Sequence, residues 1–268
     1  MSTTSPPTTD HGSCWARVRD QAPLVQCLTN IVAAPSTANV LLAAGAAPAM
    51  VDNPHEAGDF AAVAGGVLVN LGTLSDGSVA GMRVAVRAAA AAGTPWVLDP
   101  VAAGALGWRT DVAHELLSVA APAVIRGNAS EILGLAGGAG GRGVDSTAGP
   151  EAAAEEAARL ATRHGCVVAV SGPVDHLTDG RQVVRVGHGH PWMTRVTGVG
   201  CALGALMAAC CAVTDDSLVA ATTATLALTL AAERAAGRSE GPGSFAVALL
   251  DEIAALEPDT LAAGAELR

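Results

Sequence analysis

At 268 residues the chain suits one large α/β domain or two small ones. Its formal net charge of -10 comes without a basic run. That argues against nucleic acid or an anionic membrane as partner, and leaves room for a nucleotide held by backbone amides and a few arginines. All 15 basic residues are arginine and tyrosine is absent, which excludes a P-loop lysine, a protein-kinase strand lysine, a Schiff-base lysine and any tyrosine acid or nucleophile.

Met1–Asp10 is polar and rich in Ser, Thr and Pro, so residues 1–12 are expected to form a disordered tail and residues 13–268 a single domain. Leu24–Leu28 reads as a strand followed by Thr29-Asn30, and Ala33–Ala44 as a helix stopped by Gly45. Val67–Leu71 is a continuous apolar run, hence a buried strand, leading into Asn70-Leu71-Gly72-Thr73. A helix is expected over Ser78–Ala92, capped by Ser78 and stopped by Gly93. Trp96–Leu98 is a strand ending in Asp99-Pro100, Asp111–Val119 a helix, and Ala123–Ile125 a strand ending at Arg126. Ser130–Leu135 starts another helix, and the Gly-rich segment Gly137–Gly149 reads as a mobile loop. Glu151–His164 is helical, and Val167–Val170 is a strand ending at Ser171-Gly172-Pro173. A hairpin over His176–His190 carries the Asp179-Gly180 turn, and helices follow to the C-terminus.

Alternating helices and continuous apolar strands predict a mostly parallel sheet covered on both faces, with ligands beyond the carboxyl ends of the strands. Asn30, Asn70, Asp99, Arg126 and Ser171 each follow an apolar strand, and five polar residues on one edge are better explained by a site than by turn chemistry. Cys201–Val213 and Leu218–Ala232 are apolar but shorter than the ~20 residues a membrane helix needs, so both are read as buried helices. The six cysteines form no C-x-x-C pair and no zinc pattern with histidine. With no secretory leader read at the N-terminus, they are expected to be reduced thiols in a cytoplasmic protein.

The loop Val196-Thr197-Gly198-Val199-Gly200-Cys201 opens directly into an apolar helix. Gly198, Val199, Gly200 and Cys201 therefore form a phosphate or anion loop, because free N–H groups and the helix dipole converge there. A thiol at such a helix start is expected to have a lowered pKa, so Cys201 reads as a base or hydroxyl-orienting group, against the alternative of a small buried hydrophobe. Asp99 reads as a magnesium-shell carboxylate or as a turn cap. Asn128 and Glu131 have the spacing of a capping box; the competing reading aims Glu131 at magnesium-bound phosphate, with Arg126 on a nucleotide phosphate.

At this point the motifs resemble a known family. Pro23–Asn30, Thr37-Ala38-Asn39, Leu41–Met50, Asn70-Leu71-Gly72-Thr73-Leu74, Leu98-Asp99-Pro100-Val101, Arg126–Glu131, Val196–Cys201 and Gly241-Pro242-Gly243-Ser244-Phe245 together resemble hydroxyethylthiazole kinase, in order from about residue 20 to 255. The resemblance implies a three-layer αβα ribokinase-like fold and a homotrimer with active sites between subunits. It also implies transfer of the ATP γ-phosphate to the primary alcohol of 4-methyl-5-(2-hydroxyethyl)thiazole, in thiamine salvage. It places Met50 and Gly198 on the thiazole, Arg126 and Ser171 on ATP, Asp99 and Glu131 on Mg2+, and Cys201 where other ribokinase-like enzymes carry a catalytic aspartate. Ser171 stands where many members carry threonine. Pro35-Ser36 replaces a common Asn-Phe, Ile31 a residue that is often polar, and Ala102 a frequent glycine. The competing expectations are a kinase for another small heterocyclic alcohol and a non-catalytic nucleotide-binding regulator.

Overall fold

A computed structural model describes residues 9–137 and 150–264. In chain order the elements are α1 (Thr9–Gln21), β1 (Leu24–Leu28), α2 (Ala34–Ala44), β2 (Ala47–Ala49), α3 (Ala57–Ala61), β3 (Gly66–Asn70), α4 (Asp76–Ala92), β4 (Trp96–Asp99), α5 (Gly107–Val119), β5 (Val124–Asn128) and α6 (Ala129–Leu135). After the gap come α7 (Pro150–His164), β6 (Val167–Ser171), β7 (Asp175–Thr178), β8 (Val183–Val186), a 3-10 turn (Pro191–Arg195), α8 (Val199–Cys211), α9 (Ser217–Ala236), α10 (Pro242–Ala254) and α11 (Pro258–Gly264).

These strands form one sheet in the order β2-β1-β3-β4-β5-β6-β7-β8. The first six run parallel, and β7 and β8 close the far edge as an antiparallel hairpin. Strand side chains alternate between faces. Val25, Cys27, Leu68, Val97, Val124 and Ala169 join the core under α1, α2, α8, α9 and α10. Leu28, Val67, Val69, Leu98, Ile125, Val168 and Val170 join the core under α3, α4, α5, α6 and α7. This is the expected three-layer αβα arrangement. The two apolar stretches near the C-terminus lie in α8 and α9, both largely buried. Among the described residues no helix is long and apolar enough to cross a membrane.

Several boundaries differ from the sequence reading. Of the segment expected to be a tail, Thr9–Gly12 instead form the first turn of α1 and His11 is buried against Thr223, while residues 1–8 lie outside the described residues. The cap of α4 is Ser75, not Ser78. Ser75 Oγ accepts from the Ser78 N–H at 3.1 Å while Ser78 Oγ accepts from the Ser75 N–H at 2.9 Å, a reciprocal capping box. β5 runs on to Asn128, so Arg126 sits within the strand, paired with Ala169. The expected loop over Gly137–Gly149 lies outside the described residues except for Gly137.

Helix α8 crosses directly over the middle of the sheet, and small residues set its distance. A Cβ on Gly66 would lie 2.4 Å from the Ala208 carbonyl oxygen, and one on Gly204 would lie 2.9 Å from Leu68 Cδ1. We expect Gly66→Ala to cost about 2 kcal/mol by overpacking, since the obstructing atom is backbone. Chemical denaturation checks this; an unchanged midpoint would show that α8 can lift without penalty.

Candidate active site

The alternation that builds the core also builds the site. Asn70 follows Leu68 by two residues, Asp99 follows Val97, Arg126 follows Val124 and Ser171 follows Ala169. All four polar side chains therefore emerge on the α8 side of the sheet, at or near the carboxyl ends of β3, β4, β5 and β6. Asn30, two residues past β1, completes the row.

These side chains are joined into one string. Asn30 Nδ2 donates to Cys201 Sγ at 3.4 Å and to Asn70 Oδ1 at 2.9 Å. Asn70 Nδ2 donates to Asp99 Oδ2 at 2.8 Å, and the same oxygen lies 3.6 Å from Arg126 Nη1. Arg126 then donates to Ser171 Oγ from Nε at 3.2 Å and from Nη2 at 3.0 Å. Asp175, which the sequence reading missed, accepts from the Gly172 N–H at 2.9 Å and closes the turn after Ser171. Its only sequence signal is its place four residues after Ser171, just past Gly172-Pro173 and at the first position of β7.

Above this string stands the start of α8. Gly198 is its N-cap, with φ +87, and a Cβ there would lie 2.0 Å from Ser36 Oγ. Only glycine fits that position. The Pro35-Ser36 departure is thereby placed: Pro35 occupies the tolerant first turn of α2, and Ser36 supports the loop from below. Gly200 brings the helix start onto Arg126, since a Cβ there would lie 3.1 Å from Nη1 and Nη2. The run-up to the loop is anchored by Trp192, whose ring packs edge-on against Phe245 at 5.9 Å and His190 at 4.9 Å. The first N–H groups of a helix have no partner within it, so the Val199–Cys201 turn offers donors to an anion.

Burial governs the charges. Asp99 is 1% exposed, and its Oδ1 is buried without a hydrogen-bond partner among the described residues. Burial pushes its carboxyl up to about 7, helped by the charge of Glu131 and opposed by Arg126 and the Asn70 donor. Burial likewise raises Asp175 to about 6. Arg126 stays firmly protonated; burial opposes its charge, but Asp99 and Glu131 more than offset that. Cys201 corrects the sequence expectation. Its pKa is raised rather than lowered, by burial first and then by the charge of Asp99, which together outweigh the Asn30 donor and Arg126. The thiol is neutral at physiological pH.

Both carboxylate oxygens of Glu131 accept from backbone donors. The capping box is present: Glu131 N–H donates to Asn128 Oδ1 at 2.9 Å, and Glu131 Oε2 accepts from the Asn128 N–H at 2.8 Å. Its Oε1 accepts from the Ala102 N–H at 3.0 Å. Ala102 holds φ +61, a conformation that favours glycine. Met50 lies just past β2, at the same end of the sheet, with a half-exposed side chain. Among the described residues no group of three or more His, Cys, Asp or Glu could hold a metal ion. Two carboxylates, one with a buried unpartnered oxygen, fit a cation that takes its other ligands from water and phosphate.

The fold is ribokinase-like, with a row of polar residues at its strand ends. The same fold, at 12% identity and a TM-score of 0.57, occurs in a ribokinase-like superfamily protein from Enterococcus faecalis, covering 93% of this chain and 90% of that one. A Bacillus subtilis pyridoxal kinase solved as an ADP complex shares it at 15% identity and a TM-score of 0.57, over 78% of this chain and 91% of that one. Far greater similarity links the chain to one family. The hydroxyethylthiazole kinase of Cutibacterium acnes is 56% identical over 253 residues, 94% of this chain and 91% of that protein. A hydroxyethylthiazole kinase structure from Pyrococcus horikoshii matches with a TM-score of 0.85 and 39% identity, covering 92% of this chain and 93% of that one. With the family profile matching residues 15–259, the chain belongs to the hydroxyethylthiazole kinase family.

A raised carboxyl has a consequence for stability. Between its ordinary 3.8 and about 7, Asp99 holds more protons in the folded state than in the unfolded one. Its contribution to stability is therefore complete at low pH and is lost as pH rises through about 7. In nucleotide-free protein, the melting temperature of Asp99→Asn minus that of the wild type should grow from about pH 5 to about pH 7.5. A difference independent of pH would mean that Asp99 keeps its ordinary titration.

Proposed function

We propose that the protein transfers the γ-phosphoryl group of ATP to the primary alcohol of 4-methyl-5-(2-hydroxyethyl)thiazole, using Mg2+. Beside family membership, one observation carries this reading: a continuous polar string runs from Ser171 through Arg126 and Asp99 to Cys201, directly below a free helix start. Nucleotide chemistry at one end of the string and an acceptor hydroxyl at the other fit an in-line transfer between them.

Each residue then has a role. The N–H groups of Gly198, Val199, Gly200 and Cys201 hold the transferring phosphoryl group, where developing charge meets fixed donors. Arg126, clamped by Asp99 and Ser171, binds the ATP phosphates. Asp99, through its unpartnered Oδ1, and Glu131 would hold Mg2+. When bound, that ion neutralises phosphate charge and orients the chain of phosphates. Met50 and Gly198 line the thiazole. Bond formation between the alcohol oxygen and phosphorus breaks the bond from phosphorus to the β–γ bridging oxygen, releasing ADP, and the hydroxyl proton passes late to an oxygen of the transferred phosphoryl group. In a loose transition state the hydroxyl keeps its proton until late, so a strong base is not required. A neutral Cys201 thiol suits this: its sulfur accepts from the hydroxyl and aims the oxygen lone pair.

We also propose a homotrimer with each site between neighbours. Ile31 is 81% exposed and Val32 more than half exposed, both beside Asn30 at the mouth of the site. Apolar side chains there suit closure of the thiazole pocket by another copy of the chain. Light scattering on purified protein should give three chains per particle, and a monomer that turns over substrate would refute this.

The decisive assay combines purified protein, ATP, Mg2+ and the thiazole alcohol, with mass spectrometry of the product. The thiazole phosphate should appear, and should outcompete products of pyridoxal and other heterocyclic alcohols in a mixed panel. Cys201→Asp should retain or raise turnover, whereas Cys201→Ala should lower kcat by about 10²-fold. Loss of turnover in Cys201→Asp to the level of Cys201→Ala would count against a base or hydroxyl-orienting role for Cys201.

A further inference from the structure

Backbone groups fix the polarity of the string. Asn30 Oδ1 accepts from the N–H of Val32 at 3.1 Å and of Ala33 at 2.9 Å. A backbone N–H only donates, so this atom is the amide oxygen. Its Nδ2 therefore faces Asn70 Oδ1 and Cys201 Sγ, and both amide hydrogens are committed. Asn70 is oriented in the same way. Its Oδ1 accepts from the Gly72 N–H at 3.0 Å, which turns its Nδ2 toward Asp99. Because the Cys201 sulfur accepts from Asn30, its own S–H is directed elsewhere.

The corner after β3 grips the loop after β1 at three points. Asn70 Oδ1 holds the Asn30 amide. Gly72 packs flat on it: a Cβ there would lie 2.7 Å from Asn30 Cβ and 2.7 Å from Nδ2. Thr73 Oγ1 accepts from the Ile31 N–H at 3.2 Å. Thr73 does so at φ +40, a costly conformation for a β-branched residue. Neither the capping of a helix nor the closing of a hairpin calls for these contacts.

We propose that Asn70, Gly72 and Thr73 form a positioning clamp that fixes the Asn30 amide on the Cys201 sulfur, and so sets the direction from which the thiol meets the acceptor hydroxyl. The proposal rests on the reading of Cys201 as the hydroxyl-orienting group. The clamp residues touch no substrate; they act through Asn30. Asn70 couples this end of the site to Asp99, so that the acceptor and phosphate sides share one rigid frame.

Two variants separate this from a general structural role. Gly72→Ala displaces Asn30 while leaving the Asn70 donor to Asp99 in place. Asn70→Ala adds no atoms and frees the amide. Gly72→Ala should lower kcat about ten- to a hundredfold, with the KM for ATP within about twofold of wild type, because only acceptor alignment is lost. Asn70→Ala, which also removes the donor to Asp99, should lower kcat at least as much. Gly72→Ala should cost nothing further in an Asn30→Ala background, since the clamp acts through that residue. A second readout needs no turnover. Cys201 is partly exposed while the other five cysteines are buried, so alkylation by iodoacetamide at fixed alkaline pH reports on it. Loss of the Asn30 donor destabilises the thiolate, so alkylation should slow severalfold in Gly72→Ala, Asn70→Ala and Asn30→Ala alike.

Wild-type kcat and alkylation in folded Gly72→Ala would overturn the clamp, as would an undiminished Gly72→Ala effect in the Asn30→Ala background. Should Gly72→Ala not fold, Thr73→Ala, which loses the Ile31 contact and leaves the Asn70 donor to Asp99 in place, carries the same comparison with and without Asn30→Ala. If the wild-type protein phosphorylates no alcohol while the alkylation rates follow this pattern, the clamp stands and the reading of the activity fails.

Discussion

A carboxylate with almost no exposure, Asp99, sits at the centre of the sheet's carboxyl edge, and its charge governs the surrounding architecture. Removing such a group from water is expensive unless partners compensate. The compensation here comes from the two strands that flank β4: Asn70 donates from β3, and Arg126 on β5 sets its guanidinium 3.6 Å away. Compensation is deliberately incomplete, for Oδ1 keeps no hydrogen-bond partner among the described residues and the carboxyl is pushed up to about 7. The carboxylate that carries this oxygen lies beside a fixed arginine and a helix start, which supports the proposed site for a cation and the phosphates that accompany it.

The rest of the fold brings α8 close enough to use this edge. Gly200 and Gly204 let the helix lie on Arg126 and Leu68, and Gly66 lets the strand beneath approach the helix backbone. Strain gathers at the same edge. Ala102 and Thr73 both hold positive φ, and each serves a contact within the site: Ala102 N–H meets Glu131, and Thr73 Oγ1 meets the Ile31 N–H. The cost of these conformations is carried by a core that spans both faces of the sheet.

Much of this was legible in the sequence. Apolar runs marked β3, β4 and β6, because strands covered on both faces need no polar alternation, and β1 is apolar except at Gln26. The elements missed were those without intrinsic signal. β2 is Ala-Pro-Ala, a strand only because the edge of β1 offers it partners, and proline is tolerated on such an edge. α1 begins in Thr-Asp-His-Gly, a polar run resembling a tail, yet Trp15 and Cys14 bury its inner face. Ser75 and Ser78 are equally good caps by composition, and only the reciprocal hydrogen bonds of the folded chain distinguish them.

The sequence by itself determined the family, the layer architecture and the row of polar residues that ends the strands, since each is written in local pattern and order. Tertiary structure decided what those residues are chemically. A cysteine at a helix start reads as an acidified thiol, because the helix dipole is a local feature. Its neutrality depends on burial and on Asp99, which lies about a hundred residues away in sequence and close in space. The amide orientations of Asn30 and Asn70 likewise depend on backbone donors that face them only once the corner after β3 has closed on the loop after β1. Electrostatic and hydrogen-bond state follow from distance and exclusion of water, and neither exists until the chain has folded.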